Sequence, residues 1–323
     1  MLEIRCYASS DTSPERVPLT GLPVHDRVET AIKTSEPVPL STAGLTTWPL
    51  GPDGAPLRGQ QCGAVSYGID NAGALSKLRI AGRDWASPNN TVGRFRYISH
   101  SEAEFLTFGD RYMLPGCRPA ENDVLCGVGK PGLDKANATA RDWPPTITAA
   151  WRSADGCRAI IAVAFAAEAQ TKYGAPSVAN ISVTIRGTAL SFDVQYHKRH
   201  TRMAESLWFS FAPVVRDVHG WRVDKLGISV DPFAVVVNGS RAMHAVWDGI
   251  AYHEPAPPSG HAMAGDAGTP KPVDSPNPVE FLRDEQIQGL AWHYNLFNDA
   301  WNTNYPLYEI NTSERFRFTA TFY

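Results

Sequence analysis

A chain of 323 residues, 43% hydrophobic and 20% charged, is long enough to bury a substantial core and too apolar to be disordered as a whole. Its formal charge of −3, with no long basic or acidic block, excludes the electrostatic footprint of nucleic-acid or anionic-membrane binding and leaves neutral partners as the expectation. No apolar run approaches the roughly 20 residues that cross a bilayer. The start "MLEIRCYASSDTSPERVPL" has no basic segment followed by an apolar one. The location expected is therefore cytoplasmic, with secretion open if the N-terminus is incomplete.

In chain order, residues 1–61 are rich in Pro, Ser, Thr and Gly and show neither a 3.6-residue nor a sustained two-residue hydrophobic period. They are expected to be an extended or poorly structured segment, and residues 62–323 a single β domain. "AVSYGIDNAGALSKLRIAG" predicts two strands about an Asn71-Ala72-Gly73 turn, because Asn and Gly tolerate the positive φ of a tight hairpin. "RAIIAVAFAAEAQ" fits a helix or a buried strand, and Ile160, Ile161 and Val163 tip it toward strand. In "NISVTIRGTALSFDVQYH", Ile181, Val183 and Ile185 alternate with polar residues, as do Leu190, Phe192, Val194 and Tyr196, which predicts a hairpin about Gly187 with one buried face. "SLWFSFAPV", "FAVVVNG", "MHAVWDGIAYHE" and "RFRFTATFY" continue the pattern; in the last, Phe316, Phe318, Ala320 and Phe322 share a face. Residues 254–278 hold too much Pro and Gly for regular structure and are expected to form a long loop. Many short strands with almost no helical periodicity predict an all-β fold, a large antiparallel sandwich with few or no helices.

Candidate chemistry is sparse. The five cysteines, an odd number at irregular spacing without C-x-x-C, argue against a zinc knuckle and for buried free thiols, with Cys117 and Cys126 close enough in sequence to bridge a loop. Asn89, Asn137, Asn180, Asn238 and Asn311 begin N-x-S/T triplets, which matter only on a secretory route. His197 and His200 fit a solvated basic turn better than a metal pair, since zinc wants three or four protein ligands. Glu102, Glu104, Asp110, Glu205, Asp248 and Glu254 are carboxylates that can in principle pair across strands, although surface and strand-end positions explain them better.

"WHYNLFNDAWNTNYP", residues 292–306, is too aromatic for a plain loop and too amide-rich for a plain core strand. As a strand it places Leu290, Trp292, Tyr294 and Leu296 on one face and His293, Asn295 and Phe297 on the other, then turns. Amides and an imidazole match sugar hydroxyls, and an indole stacks on a sugar ring; the plainer reading is a turn whose Asn side chains satisfy backbone groups.

That stretch, with "RFRFTATFY" after it, resembles the terminal motif of α-mannosidase-like glycoside hydrolases, and "SYGIDNAGALSKLRIAGRDWA" resembles the entry to their large β domain. "GRFRYISHSEAEFLTFGDRYM", "TKYGAPSV", "KRHTRMAESLWFSFAPVV" and "GWRVDKLGISVDPFAVVVNGSRAMHAV" resemble the domain-of-unknown-function family 5054, a branch related to glycoside hydrolase family 38; the likeness runs from about Val65 to the C-terminus. The resemblance implies a galactose-mutarotase-like supersandwich, the C-terminal β portion of such an enzyme. It implies zinc ligands and a nucleophilic Asp in a separate N-terminal domain that nothing in residues 1–61 resembles, so no cofactor and no catalytic residue is expected in this chain and it looks like a truncated or split member. Carried over as carbohydrate contacts are His293, Asn295, Asn298, Trp301 and Asn304 from the terminal motif, Arg111 and Tyr112 from "GDRYM", and Arg202 and Glu205 from "TRMAES". The last two are read equally well as a surface ion pair.

The expected function is a carbohydrate-associated β domain of an α-mannosidase-like glycosidase, inactive alone, with carbohydrate and a catalytic domain or chain as partners and self-association through any apolar face left bare. The alternatives are a free-standing carbohydrate-binding module, and an epimerase or lyase using His293 or His244 with Glu205.

Overall fold

The computed structural model describes residues 1–7, 41–112, 129–130, 132–199, 201–234, 236, 244–254, 279, 291–301 and 311–323. Its elements run β1 (Leu2–Tyr7), β2 (Thr46–Thr47), β3 (Gln60–Cys62), β4 (Val65–Ile69), β5 (Leu75–Ile80), β6 (Arg83–Ala86), β7 (Val92–Ser99), α1 (Glu102–Tyr112), β8 (Arg141–Trp143), β9 (Thr146–Arg152), β10 (Arg158–Ala164), β11 (Val178–Arg186), β12 (Ala189–Arg199), β13 (Glu205–Phe211), β14 (Trp221–Lys225), β15 (Ile228–Val230), β16 (Gly249–Tyr252), β17 (Trp292–Asp299) and β18 (Asn311–Phe322). They form two antiparallel sheets. One has ten strands in the order β15-β14-β16-β1-β18-β12-β11-β10-β9-β2; the other has eight, with β17-β13-β7-β5-β4-β3 in line, β6 on β5 and β8 on β7. The all-β sandwich read from the sequence is the fold.

The core lies between the sheets and follows from two-residue alternation. Ile181, Val183 and Ile185 of β11 and Leu190, Phe192, Val194 and Tyr196 of β12 are buried, as the period required, and Gly187 turns the hairpin at φ 60°. They meet Phe95 and Tyr97 of β7 and Leu207, Phe209 and Phe211 of β13 from the other sheet. Edge-to-face pairs such as Phe192 with Phe209 and with Phe211, both at 5.6 Å between ring centres, add to the area they bury. The β4–β5 turn also stands as expected: Gly73 takes φ 88°, and Asp70 Oδ1 accepts from the Ala72 and Ala74 amides. The ambiguous "RAIIAVA" is strand β10.

Several expectations are corrected. Within residues 1–61, the described parts join the sandwich, β1 lying inside the ten-stranded sheet between β16 and β18 and Trp48 being buried in the core, while residues 8–40 lie outside the described residues. In β1, Leu2 and Ile4 are core residues and alternate with Glu3 and Arg5, but a run of six residues is too short to stand out from the Pro- and Ser-rich sequence after it. Glu102, Glu104 and Asp110 sit on helix α1, not on strands. "FAVVVNG" opens as a turn in which Asp231 Oδ1 accepts from the Phe233 amide at 2.9 Å; most of its remainder, like residues 255–278 of the expected loop, lies outside the described residues. Cys62 and Cys157 are not free thiols but a disulfide, joining β3 of one sheet to the β9–β10 turn beneath the other, with Cα atoms 4.9 Å apart. Spacing could not reveal a pairing 95 residues long. Cys117 and Cys126 lie outside the described residues.

At Gly93 the two sheets approach closely. The glycine has φ 77°, and a Cβ there would stand 2.6 Å from Phe192 Cε1. Gly93→Ala is expected to lower the unfolding free energy by at least about 2 kcal/mol, from backbone strain plus overpacking. A denaturant midpoint unchanged from wild type would refute it.

Candidate functional site

Strand β13 is buried along its whole length on both faces, and each face carries a different polar arrangement. On the outer face, away from the core, two bulges bring side chains of three strands into register. In β7, Val92 pairs with the core residue Phe211 but Arg94 pairs with Ser210, so Gly93 is the extra residue and Arg94 turns outward. In β17, Asn295 pairs with Trp208 and Phe297 with Leu207, so Leu296 is extra; Asn298 then faces outward beside Ser206. The result is a ladder of three rows: Arg94, Ser210 and His293; Arg96, Trp208 and Asn295; Ile98, Ser206 and Asn298. Facing residues in such rows lie about 5 Å apart.

The ladder is internally tied. His293 Nδ1 and Ser210 Oγ are 2.8 Å apart. Arg96 Nε donates to Asp142 Oδ2 of β8 at 3.0 Å. Trp208 Nε1 donates to Ser206 Oγ at 2.8 Å, and the buried His100 reaches the same hydroxyl through Nε2 at 3.0 Å. Asn295, on edge strand β17, is exposed, and Arg94 and His293 are half-buried.

The inner face ends in a closed ionic network. Glu205 and Lys198 are both buried and form an ion pair across the two sheets. Glu205 Oε2 accepts from the Tyr97 hydroxyl at 2.6 Å, while the same hydroxyl points at the Tyr173 carbonyl. One phenolic proton cannot serve both acceptors fully, and a proton on Glu205 relieves the conflict. Burial pushes the Glu205 carboxyl up to about 7, against the pull of Lys198 and the Tyr97 hydroxyl, with Asp299 adding to the rise. Burial, then Glu205, raises the Tyr97 phenol well above its ordinary value. Asp299, the cross-strand partner of Glu205, has its own cation, Lys130 Nζ at 2.7 Å.

Of the residues singled out from the sequence, His293, Asn295 and Asn298 share the outer ladder. Phe297 does not join them, because the bulge at Leu296 returns it to the core face, where Lys198 Nζ stands 4.8 Å from its ring centre. Trp301 lies past the end of β17 and packs on Phe105 and Phe108 of α1, at 5.8 and 5.1 Å between ring centres, in a small separate core. Arg111 and Tyr112 are in α1, but their side chains lie outside the described residues, as does Asn304. Arg202 is exposed in the turn before β13 and Glu205 is enclosed, so they are not a surface pair; Glu205 belongs to Lys198. The acid–base combinations are not assembled either. His293 and Glu205 face opposite sides of the sheet, and His244 packs at a tilt against Trp292, whose partner Phe211 is at the far end of β13, about 20 Å along the strand from Glu205. Among the described residues no three His, Cys, Asp or Glu side chains gather as a metal set, so these residues do not fit zinc.

The sequence reading missed Arg94, Arg96, Trp208, Ser210 and Lys198. Parity held a signal for the last: Lys198 follows Phe192, Val194 and Tyr196 at two-residue steps, and Glu205 precedes Leu207, Phe209 and Phe211 in the same way, which marks both as core-facing charges.

Fold and site together define an all-β sandwich carrying a bulge-built polar face on one sheet. The chain belongs to the family described as a domain of unknown function (DUF5054), whose sequence profile matches residues 26–189. The matched span takes in Arg94 and Arg96 and ends before β13. No curated protein matches the chain.

Proposed function

We propose that this protein is a carbohydrate-associated β domain of the α-mannosidase-like kind, which binds saccharide on the outer face of the eight-stranded sheet and does not cleave it unaided. The observation that carries this reading is the ladder itself: two bulges turn Arg94, His293, Asn295 and Asn298 to one side of three adjacent strands. Guanidinium, imidazole and amide groups together supply the donors and acceptors that sugar hydroxyls need. The likeness of residues 292–306 to the terminal motif of those hydrolases supports the same face. The carboxylates nearest it are engaged, Asp142 with Arg96, Glu205 with Lys198 and Asp299 with Lys130, which supports binding over two-carboxylate hydrolysis. The zinc chemistry that the likeness implies belongs, on this reading, to a partner domain. Leu226 and Ile228 on the β14–β15 hairpin and the neighbouring Trp247 are 77%, 66% and 54% exposed, an apolar surface on which such a domain can dock.

Calorimetric titration with mannose oligosaccharides is expected to show binding that weakens about tenfold in Asn295→Ala, the loss of one or two hydrogen bonds. p-Nitrophenyl α-mannoside is expected to release no nitrophenol with or without added zinc. Chelator-sensitive release would overturn the reading.

A further inference from the structure

Two rows of the ladder hold an arginine, and the two arginines differ in their partners. Arg96 is neutralised by Asp142 across β7 and β8. Arg94, one row along, has a buried Nε with no hydrogen-bond partner among the described residues. Its row mates are Ser210 and His293, held together at 2.8 Å, and neither is an acid. The next row adds a second arginine, a tryptophan and an asparagine. A guanidinium whose buried N–H is left unmade in an isolated state is costly, and the group that satisfies it best is an oxyanion, whose planar or tetrahedral oxygens fit the guanidinium fork. The backbone has been distorted to present this side chain: without the bulge at Gly93, Arg94 would follow Val92 into the core.

We propose that Arg94, with Ser210 and His293 beside it, forms an oxyanion subsite of the outer face, so that the saccharide bound there carries a carboxylate or a sulfate ester. The inference rests on the carbohydrate reading and names the substrate class within it. Arg94 grips the anionic group, the Ser210–His293 pair flanks it, and Asn295 on the open edge meets neutral hydroxyls of the same or the next sugar residue. The half-buried setting strengthens the charge-assisted bond relative to one in open water.

The test is a titration of the whole chain with three probes: a mannose oligosaccharide, the mannuronate oligosaccharide of the same length, and inorganic sulfate. Wild type is expected to bind the mannuronate at least about tenfold more tightly than the neutral sugar, the worth of one charge-assisted hydrogen bond. In Arg94→Gln that preference is expected to vanish, the mannuronate losing more affinity than the neutral sugar, and Arg94→Lys should restore part of it. Arg94→Gln is also expected to melt no lower than wild type, since it removes an unpaired buried donor. Equal affinity for the two sugars in wild type would overturn the oxyanion subsite and leave the carbohydrate reading in place. Sulfate binding lost in Arg94→Gln, with neither sugar bound, would keep the subsite and remove the carbohydrate reading. A mannuronate preference that survives Arg94→Gln would overturn the assignment to Arg94.

Discussion

Replacing Lys198 by Met is expected to destabilise the protein at about pH 8, where Glu205 is ionised, by about 3–5 kcal/mol, the loss typical when one member of a buried ion pair is removed. Lys198 is 1% exposed and Glu205 is fully enclosed, so no water reaches in to solvate the carboxylate left behind. The double variant Lys198→Met/Glu205→Leu is expected to recover most of the loss, because two apolar side chains can replace the pair without a stranded charge. Denaturant unfolding of the two variants decides the matter; equal stability for wild type and Lys198→Met would show that the pair contributes nothing. The same site sets a pH dependence. The folded state raises the Glu205 carboxyl from its ordinary 4.5 to about 7, so the fold favours its protonated form. Its contribution is fully present below pH 4.5 and is lost as pH rises through 7. At about 1.4 kcal/mol per tenfold, that rise amounts to about 3 kcal/mol. Wild type is therefore expected to lose that much stability relative to Glu205→Gln between about pH 4 and pH 8, and parallel pH profiles for the two proteins would contradict the burial of an ionisable Glu205.

Breaking the Cys62–Cys157 bridge, by reductant or by changing both residues to Ser, is expected to cost about 4–5 kcal/mol. The cross-link closes a loop 95 residues apart in sequence, and by loop-closure entropy a bridge of that reach constrains the unfolded chain strongly. The folded state should change little locally. Tyr67 donates to the Gly156 carbonyl at 2.9 Å beside the bridge, and the β3–β4 and β9–β10 hairpins pair independently of it. Thermal melting with and without reductant measures the effect. A Cys62→Ser/Cys157→Ser protein that melts with wild type would show that the bridge carries no stability. Chain produced under oxidising conditions is accordingly expected to melt higher than chain kept reduced.

Where strict alternation ran through a long stretch, the sequence disclosed the structure. The β11–β12 hairpin is the clearest instance, since Ile181 to Tyr196 needed only a period of two and one Gly turn. Alternation failed where a single residue was added to a strand. A two-residue period through "WHYNLFND" puts Phe297 beside His293, and nothing in the letters marks Leu296 as the bulge that sends Phe297 inward and Asn298 outward. Half of the ladder was therefore visible and its other half was not: His293 and Asn295 come from one strand, whereas Arg94 and Ser210 join them only through pairing across distant segments. Helix α1 was overlooked although its start carried a signal. Ser101 and Glu104 have the spacing of a capping box, and the Ser101 amide donates to Glu104 Oε2 at 2.9 Å. The flanking strands drowned that short cue.

The place of β1 has a consequence for how the protein is made. It fills the gap between β16 and β18, pairing Ile4 with Ile250 on one side and with Ala320 on the other. The ten-stranded sheet is thus two half-sheets joined along a seam of six residues, and one of the strands that seam must meet is synthesised more than 300 residues after it. Until that strand arrives, β1 has no partner on that side and each half-sheet presents an unpaired row of backbone donors and acceptors. Contacts of such long sequence separation form slowly. The nascent chain is therefore most exposed to edge-to-edge aggregation in the interval just before synthesis reaches β18, and slowing translation between β16 and β18 should lengthen that interval rather than help the fold.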